Sequence, residues 1–63
     1  MKIKEFRQER NFTQLSLAKK LGVSQSAVAK WENGDTFPRT NILQKMSELF
    51  NCTIDELVKG EKE

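Results

Sequence analysis

This 63-residue chain contains no histidine, and its only cysteine is Cys52. The side chains that usually bind zinc are therefore missing, so we expect no metal site. A lone cysteine cannot form an internal disulfide, which favours a reducing compartment. Uninterrupted apolar runs reach only two or three residues, far short of the roughly 20 that span a bilayer. We expect a cytoplasmic protein that does not enter the membrane.

The usual components of an enzyme active site are also missing. No histidine is present to act as a general base, and the three glycines do not form a phosphate-binding loop. No pattern places paired acids in a pocket. The sequence therefore predicts a protein that is not an enzyme and that needs no cofactor.

Acidic side chains are absent from residues 11–31, which hold three lysines. The net charge is only +2, yet residues 1–45 contain nine basic and four acidic side chains, while residues 46–63 contain two and five. This polarised distribution favours an anionic partner for the first part of the chain. A solvated lysine face would look the same, so charge leaves both interpretations open.

The spacing of apolar residues and caps predicts an all-α chain. Its length allows one small domain, residues 1–63, with an ordered core at about 2–59 and a frayed tail at 60–63. A capped helix, a glycine-containing turn and a second capped helix form a helix-turn-helix layout. The predicted helices run from Lys2 to Arg10, from the Thr13 cap to Gly22, from the Ser24 cap to Asn33, from Arg39 or Thr40 to Asn51, and from the Thr53 cap to about Lys59.

The third predicted helix has an unusual outer surface. At about 100° per residue, Val28 and Trp31 share one face. The opposite arc has small or amide-bearing polar groups, one cation and no carboxylate, which suits contact with base edges in DNA. An ordinary solvated face is the alternative. The residues of this arc are Gln25, Ser26, Ala29, Lys30 and Asn33.

Four groups of short motifs link the chain to a known family. They are Thr13-Gln14; Leu17-Ala18 with Leu21-Gly22-Val23-Ser24; Trp31-Glu32-Asn33-Gly34 with Pro38; and Ile54-Asp55-Glu56-Leu57. In this order, over residues 3–58, the chain resembles the Cro/C1-type (XRE-like) helix-turn-helix family of lambdoid phage repressors and small bacterial regulators. The resemblance implies a compact five-helix, lambda-repressor-like DNA-binding domain in which the second and third helices form the helix-turn-helix.

The resemblance also implies roles for individual residues. Those expected to contact bases are Gln25, Ser26, Ala29 and Lys30, and those expected to contact phosphates are Gln14 and Asn33 with the weaker candidates Lys20, Thr36 and Arg39. Arg7 and Glu32 match an ion pair between the first and third helices. The family places the dimer interface at Asn51, Thr53, Ile54, Leu57 and Val58.

Two residues depart from the family pattern. Asp35 follows the glycine where many members have a cation, and it would weaken phosphate binding unless it points away. Phe37 is larger and less polar than the usual residue. It packs on the domain or lies in a partner interface, and the sequence does not decide between them.

These features imply a sequence-specific double-stranded DNA-binding transcriptional regulator. The expected form is a repressor that binds a palindromic operator as a homodimer, with the third helix in the major groove. Control by a protein antirepressor or a toxin partner is compatible with so short a chain. The rival hypothesis is a protein-interaction module, similar to an antitoxin, that uses Leu15, Phe37 and the apolar residues of the fifth helix.

Overall fold

The chain folds into α-helices joined by short turns. A computed structural model describes residues 1–59, and the all-α, five-helix prediction is confirmed within that part. The predicted frayed tail, residues 60–63, lies outside the described residues. Over residues 1–59, no helix combines the length and the apolar character needed to cross a membrane. The helices are α1 (Ile3–Glu9), α2 (Gln14–Leu21), α3 (Gln25–Asn33), α4 (Thr40–Phe50) and α5 (Ile54–Lys59).

Side-chain hydroxyls cap the N-termini of α2, α3 and α5. Thr13 Oγ1 accepts a hydrogen bond at 3.0 Å from the backbone N–H three residues on, and Ser24 Oγ accepts the equivalent bond at 3.1 Å. Thr53 and Glu56 form a capping box, because the Glu56 N–H donates to Thr53 Oγ1 at 3.0 Å and the Thr53 N–H donates to Glu56 Oε1 at 2.9 Å. Each such cap stabilises the fold by about 1 kcal/mol.

A residue in the left-handed conformation follows each of the first four helices. Glycine adopts this conformation at the lowest cost, and asparagine tolerates it better than most residues. α1 is one residue shorter at each end than predicted, because Lys2 and Arg10 adopt cap conformations and not helical ones. The left-handed residues are Asn11 at φ 61°, Gly22 at φ 75°, Gly34 at φ 83° and Asn51 at φ 55°.

Apolar residues from all five helices form one core. Val28 and Trp31 are buried, as their shared helical face predicts, so the opposite side of α3 points away from the core. Leu49, on α4, is only half-buried. The buried apolar residues are Ile3, Leu17, Ala18, Leu21, Val28, Trp31, Leu43, Met46, Phe50 and Leu57.

Polar contacts attach α1 to the C-terminal helices. The Lys2 N–H donates to the Leu57 carbonyl at 2.8 Å. The Arg10 guanidinium donates through Nη2 to the Phe50 carbonyl, and it lies 5.4 Å from the ring centroid of Phe6 and 5.7 Å from that of Phe50. These contacts hold α1 against the end of α4 and against α5.

Candidate nucleic-acid interface

The outer face of α3 presents polar side chains to solvent. Gln25, Ser26 and Lys30 are exposed, and Ala29 is half-buried among them. Over residues 1–59, no hydrogen bond or ion pair engages the Gln25, Ser26 or Lys30 side chain. Their donors and acceptors are therefore available to a partner, while the opposite face of the same helix is fixed in the core.

The N-termini of α2 and α3 lack the acidic residues that commonly occupy a first helical turn. Neither helix has one there, and nor does α4, whereas α1 and α5 do. An acidic side chain in the first turn complements the partial positive charge of the helix N-terminus. Because α2 and α3 have none, this charge remains available to an external anion, such as a DNA phosphate.

Glu32 connects α3 to α1. Its Oε2 accepts from Arg7 Nε at 2.7 Å, and its Oε1 accepts from Arg7 Nη2 at 3.3 Å. The Glu32 side chain is only 5% exposed and the Arg7 side chain only 10%. Arg7 Nη1 also donates to the Phe12 carbonyl at 2.9 Å, which attaches the segment before α2. This paired arrangement is the one expected of a buried ion pair that remains fully hydrogen-bonded.

Gln14, in the first turn of α2, is a third partner of this ion pair. Its Nε2 donates to Glu32 Oε1 at 3.0 Å, and the residue is half-buried. The family resemblance implies phosphate contact for Gln14 and an ion pair for Glu32, but nothing in the sequence indicates the bond between them. No local signal identifies it, because the two residues are 18 positions apart and the bond depends on how α2 crosses α3.

The three phosphate candidates on α2 and α3 occupy different positions: Gln14 at the start of α2, Lys20 near its end and Asn33 at the end of α3. Asn33 directly follows Glu32, so it lies one residue from the Gln14 contact, and its side chain is exposed. Lys20 is six residues further along α2, about 9 Å along the helix axis. There it lines a shallow groove with Lys45 and other α4 residues.

The remaining phosphate candidates lie in the loop between α3 and α4. Thr36 and Arg39 are exposed. Arg39 is the N-cap residue of α4, and its side chain makes no capping hydrogen bond. The guanidinium is therefore not needed to hold the helix start.

The two residues that depart from the family pattern also lie in this loop. The Asp35 backbone N–H donates to the Lys30 carbonyl at 2.9 Å and so completes the end of α3, while its side chain is exposed. Phe37 is 58% exposed and does not pack into the domain, although the neighbouring Pro38 is buried. Within residues 1–59, Leu15 on α2 is the other exposed large apolar residue.

One of the predicted dimer-interface residues requires correction. Leu57 is 0% exposed and belongs to the core, so its side chain has no surface with which to contact a second copy. Its burial follows from the position of α5, whose Leu57 carbonyl is bonded to Lys2. The other four candidates retain surface: Asn51 and Thr53 are exposed, and Ile54 and Val58 are half-buried.

Comparisons with known proteins agree with this geometry. The helix-turn-helix family matches residues 3–57. The chain is 43% identical over 61 residues to the HTH-type transcriptional activator BcrR of Enterococcus faecalis, an alignment that covers 97% of this chain and 30% of BcrR. It is 36% identical over 61 residues to the uncharacterized HTH-type transcriptional regulator YazB of Bacillus subtilis (strain 168), covering 97% and 88%. It is 33% identical over 60 residues to Repressor protein C2 of Salmonella phage P22, covering 95% and 28%.

No solved structure gives a significant match. The chain spans nearly all of YazB but less than a third of BcrR or C2. The family match extends from the first residue of α1 into α5 and includes the helix-turn-helix formed by α2 and α3. This chain therefore belongs to the Cro/C1-type helix-turn-helix family of DNA-binding transcriptional regulators.

Proposed function

We propose that this chain is a sequence-specific repressor that binds a palindromic operator in double-stranded DNA as a homodimer, with α3 in the major groove. The observation that carries this proposal is the outer face of α3. Its polar side chains are exposed and make no intramolecular hydrogen bond over residues 1–59, while Val28 and Trp31 anchor the opposite face. A helix of this kind matches the width of the major groove.

Base reading is assigned to the first two turns of α3. The Gln25 side-chain oxygen can accept a hydrogen bond from the N6–H₂ group of adenine, and the Gln25 amide N–H can donate to adenine N7. Together these bonds make a two-bond contact with adenine. Ser26 can donate or accept at an adjacent base. One turn further on, Ala29 can contact a thymine methyl group and Lys30 can reach a base or a phosphate.

Phosphate contacts fix the position of α3 in the groove. Gln14 lies where α2 contacts α3, and Asn33 is the last residue of α3. The N-terminus of α2 adds backbone N–H groups with no acidic side chain in its first turn. Thr36 and Arg39, from the loop before α4, are further candidates, and Lys20 is the most distant along α2. Such contacts set affinity and register but do not read sequence.

The homodimer would place two copies of α3 in successive turns of the groove, about 34 Å apart. The candidate interface is the surface around the start of α5. It comprises Asn51, Thr53, Ile54 and Val58, without Leu57.

Repression is proposed because it requires only that the protein occupy its operator. The names of the relatives point in both directions, since BcrR is called an activator and C2 a repressor. A promoter–reporter assay decides between them: the proposal expects reporter output to rise when the gene is deleted, and a fall would mean activation.

The DNA-binding test begins with selection of bound sequences from a random duplex pool, which yields the half-site and its spacing. Gln25→Ala should then lose about 1–3 kcal/mol of discrimination at one adenine position. Gln14→Ala should weaken binding to every sequence alike, because phosphates carry no sequence information. Affinity should also fall steeply as salt concentration rises.

Gln8→Ala is the matched control, since Gln8 is exposed on α1 and its side chain makes no hydrogen bond over residues 1–59. This variant should leave both affinity and sequence preference unchanged. If Gln25→Ala weakened binding equally at every operator position, Gln25 would not read a base.

A protein partner is the second candidate function, and the exposed Phe37 favours it. A toxin or an antirepressor would bind the exposed side chain of Phe37, and Leu15 on α2 is a second exposed apolar residue available to it. Stoichiometric co-purification of a second protein, lost in Phe37→Ser and retained in Gln8→Ala, is the expected result. Retention of the partner by both variants would remove Phe37 from the interface.

A further inference from the structure

The Gln14 side chain is held by a group that can only accept hydrogen bonds. Its Nε2 donates to Glu32 Oε1 at 3.0 Å. A primary amide nitrogen has two N–H groups, and over residues 1–59 no other side chain or backbone group binds the second one or the amide oxygen. One N–H is therefore fixed by Glu32, and the other is free to donate.

The accepting carboxylate also determines which end of the amide is held. An unrestrained glutamine can present either its oxygen or its nitrogen to a neighbour. The ionised Glu32 carboxylate has no proton to donate, so it binds only the nitrogen end. A DNA phosphate likewise only accepts. Glu32 thus orients the amide so that its nitrogen can donate to two acceptors, the Glu32 carboxylate and a DNA phosphate.

Glu32 would repel a nearby phosphate if its charge were not compensated. Arg7 compensates it through two hydrogen bonds, of which the shorter is 2.7 Å. The pair is almost inaccessible to solvent, because the Arg7 side chain is 10% exposed and the Glu32 side chain is 5% exposed. Arg7 and Glu32 together therefore supply orientation to Gln14 with little net charge.

We infer that Glu32 is a positioning residue for DNA binding, which orients the Gln14 amide so that its second N–H donates to a phosphate. This role presupposes the DNA binding proposed above. It differs from a purely structural ion pair in one measurable way: the effect of Glu32 on affinity must pass through Gln14.

A double-mutant cycle on the selected operator tests this coupling. The single variants Glu32→Gln and Gln14→Ala should each weaken binding by roughly fivefold, the effect of one net hydrogen bond. In the Gln14→Ala background, Glu32→Gln should cause no further loss. Glu5→Gln, an exposed residue of α1, makes the same charge change and should not weaken binding. All affinities are measured at a temperature at which circular dichroism shows the variants folded.

Two outcomes of the cycle overturn the inference and leave DNA binding intact. Equal losses from Glu32→Gln in both backgrounds would mean that Glu32 acts only through the scaffold. A gain of affinity in both backgrounds would mean that Glu32 is simply a repelling charge. If the unmodified chain selected no sequence from the pool, the proposed function itself would fail, and the positioning role with it.

An NMR measurement on the unmodified, DNA-free chain tests the orientation even if Glu32→Gln does not fold. Of the two Gln14 side-chain amide protons, one should exchange with water measurably more slowly than the other and more slowly than either amide proton of Gln8. Equally fast exchange of both Gln14 protons would overturn the inference.

Discussion

At the scale of single residues, Arg7 is the most constrained charge in the domain. It donates to both Glu32 oxygens and to the Phe12 carbonyl. In residues 1–59 it is the only buried polar or charged residue. Replacing both members of a buried ion pair with apolar groups can be neutral, but removing one member leaves the other charge buried and unpaired.

Arg7→Met should therefore destabilise the protein by about 3–5 kcal/mol, measured by urea denaturation and as a large fall in melting temperature. Arg39→Met is the matched control, because Arg39 is exposed and makes no capping bond. It should change stability by no more than about 0.5 kcal/mol. An unchanged melting temperature for Arg7→Met would contradict this account of the pair.

The Cys52 thiol illustrates the effect of partial burial. Desolvation raises its pKa above the ordinary value of 9.0, Glu56 raises it further, and Arg10 opposes both. The folded chain then retains the thiol proton at pH values where the unfolded chain has lost it. The stabilisation linked to this proton is complete below the unfolded pKa and is lost as pH rises through the folded pKa.

The rate of Cys52 alkylation by iodoacetamide should accordingly rise with pH with a midpoint above 9.0 in the folded protein. In guanidinium chloride the midpoint should return to the ordinary value, because the thiolate is the reactive form and burial is removed. Restricted access slows the reaction at every pH but does not move its midpoint. A folded midpoint at or below the unfolded one would contradict the prediction.

At the scale of helices, caps and left-handed residues define where each element begins and ends. Gly22 ends α2 at φ 75°, and an added Cβ would meet no atom within 4 Å. The conformation of the backbone, not crowding, therefore requires glycine in the turn that joins α2 to α3. Asn51 shows that this chain also uses asparagine in the same conformation, at φ 55°.

Gly22→Ala should consequently cost about 1–2 kcal/mol, the penalty for an ordinary residue in the left-handed region. Gly22→Asn should cost less, since asparagine enters this region more readily. Urea denaturation of the two variants provides the comparison. Equal losses for Gly22→Ala and Gly22→Asn would show that the cost does not depend on how readily the new residue adopts the left-handed conformation.

Helix starts and stops were predictable from sequence because they depend on neighbours within three or four residues. The Thr13 hydroxyl and Gly22 mark α2 without reference to the rest of the fold. The bond between Gln14 and Glu32 was not predictable, since it depends on the packing of two helices. The burial of Leu57 was missed for the same reason, because the docking of α5 decides which of its apolar residues face the core.

At the scale of the whole molecule, acidic side chains are unevenly distributed along the chain. Residues 11–31, which include α2 and most of α3, contain no acidic side chain. α5 begins with two, Asp55 and Glu56. In the proposed complex, this arrangement favours DNA contact along the helix-turn-helix and disfavours it at α5. The α5 surface is thus left for the second copy. In a two-fold symmetric dimer, a residue near the axis lies close to the same residue of the other copy.

Val58→Asp should therefore weaken self-association by at least about tenfold, because it places two like charges across the two-fold axis and removes apolar contact. Sedimentation measures the association, with Leu15→Asp, an exposed apolar residue on α2, as the matched control that should remain associated. Val58→Asp should lose affinity for the palindromic operator. Its affinity for an isolated half-site should be unchanged, because the substitution does not alter α3. A folded Val58→Asp protein that still dimerises would place the interface elsewhere on the molecule.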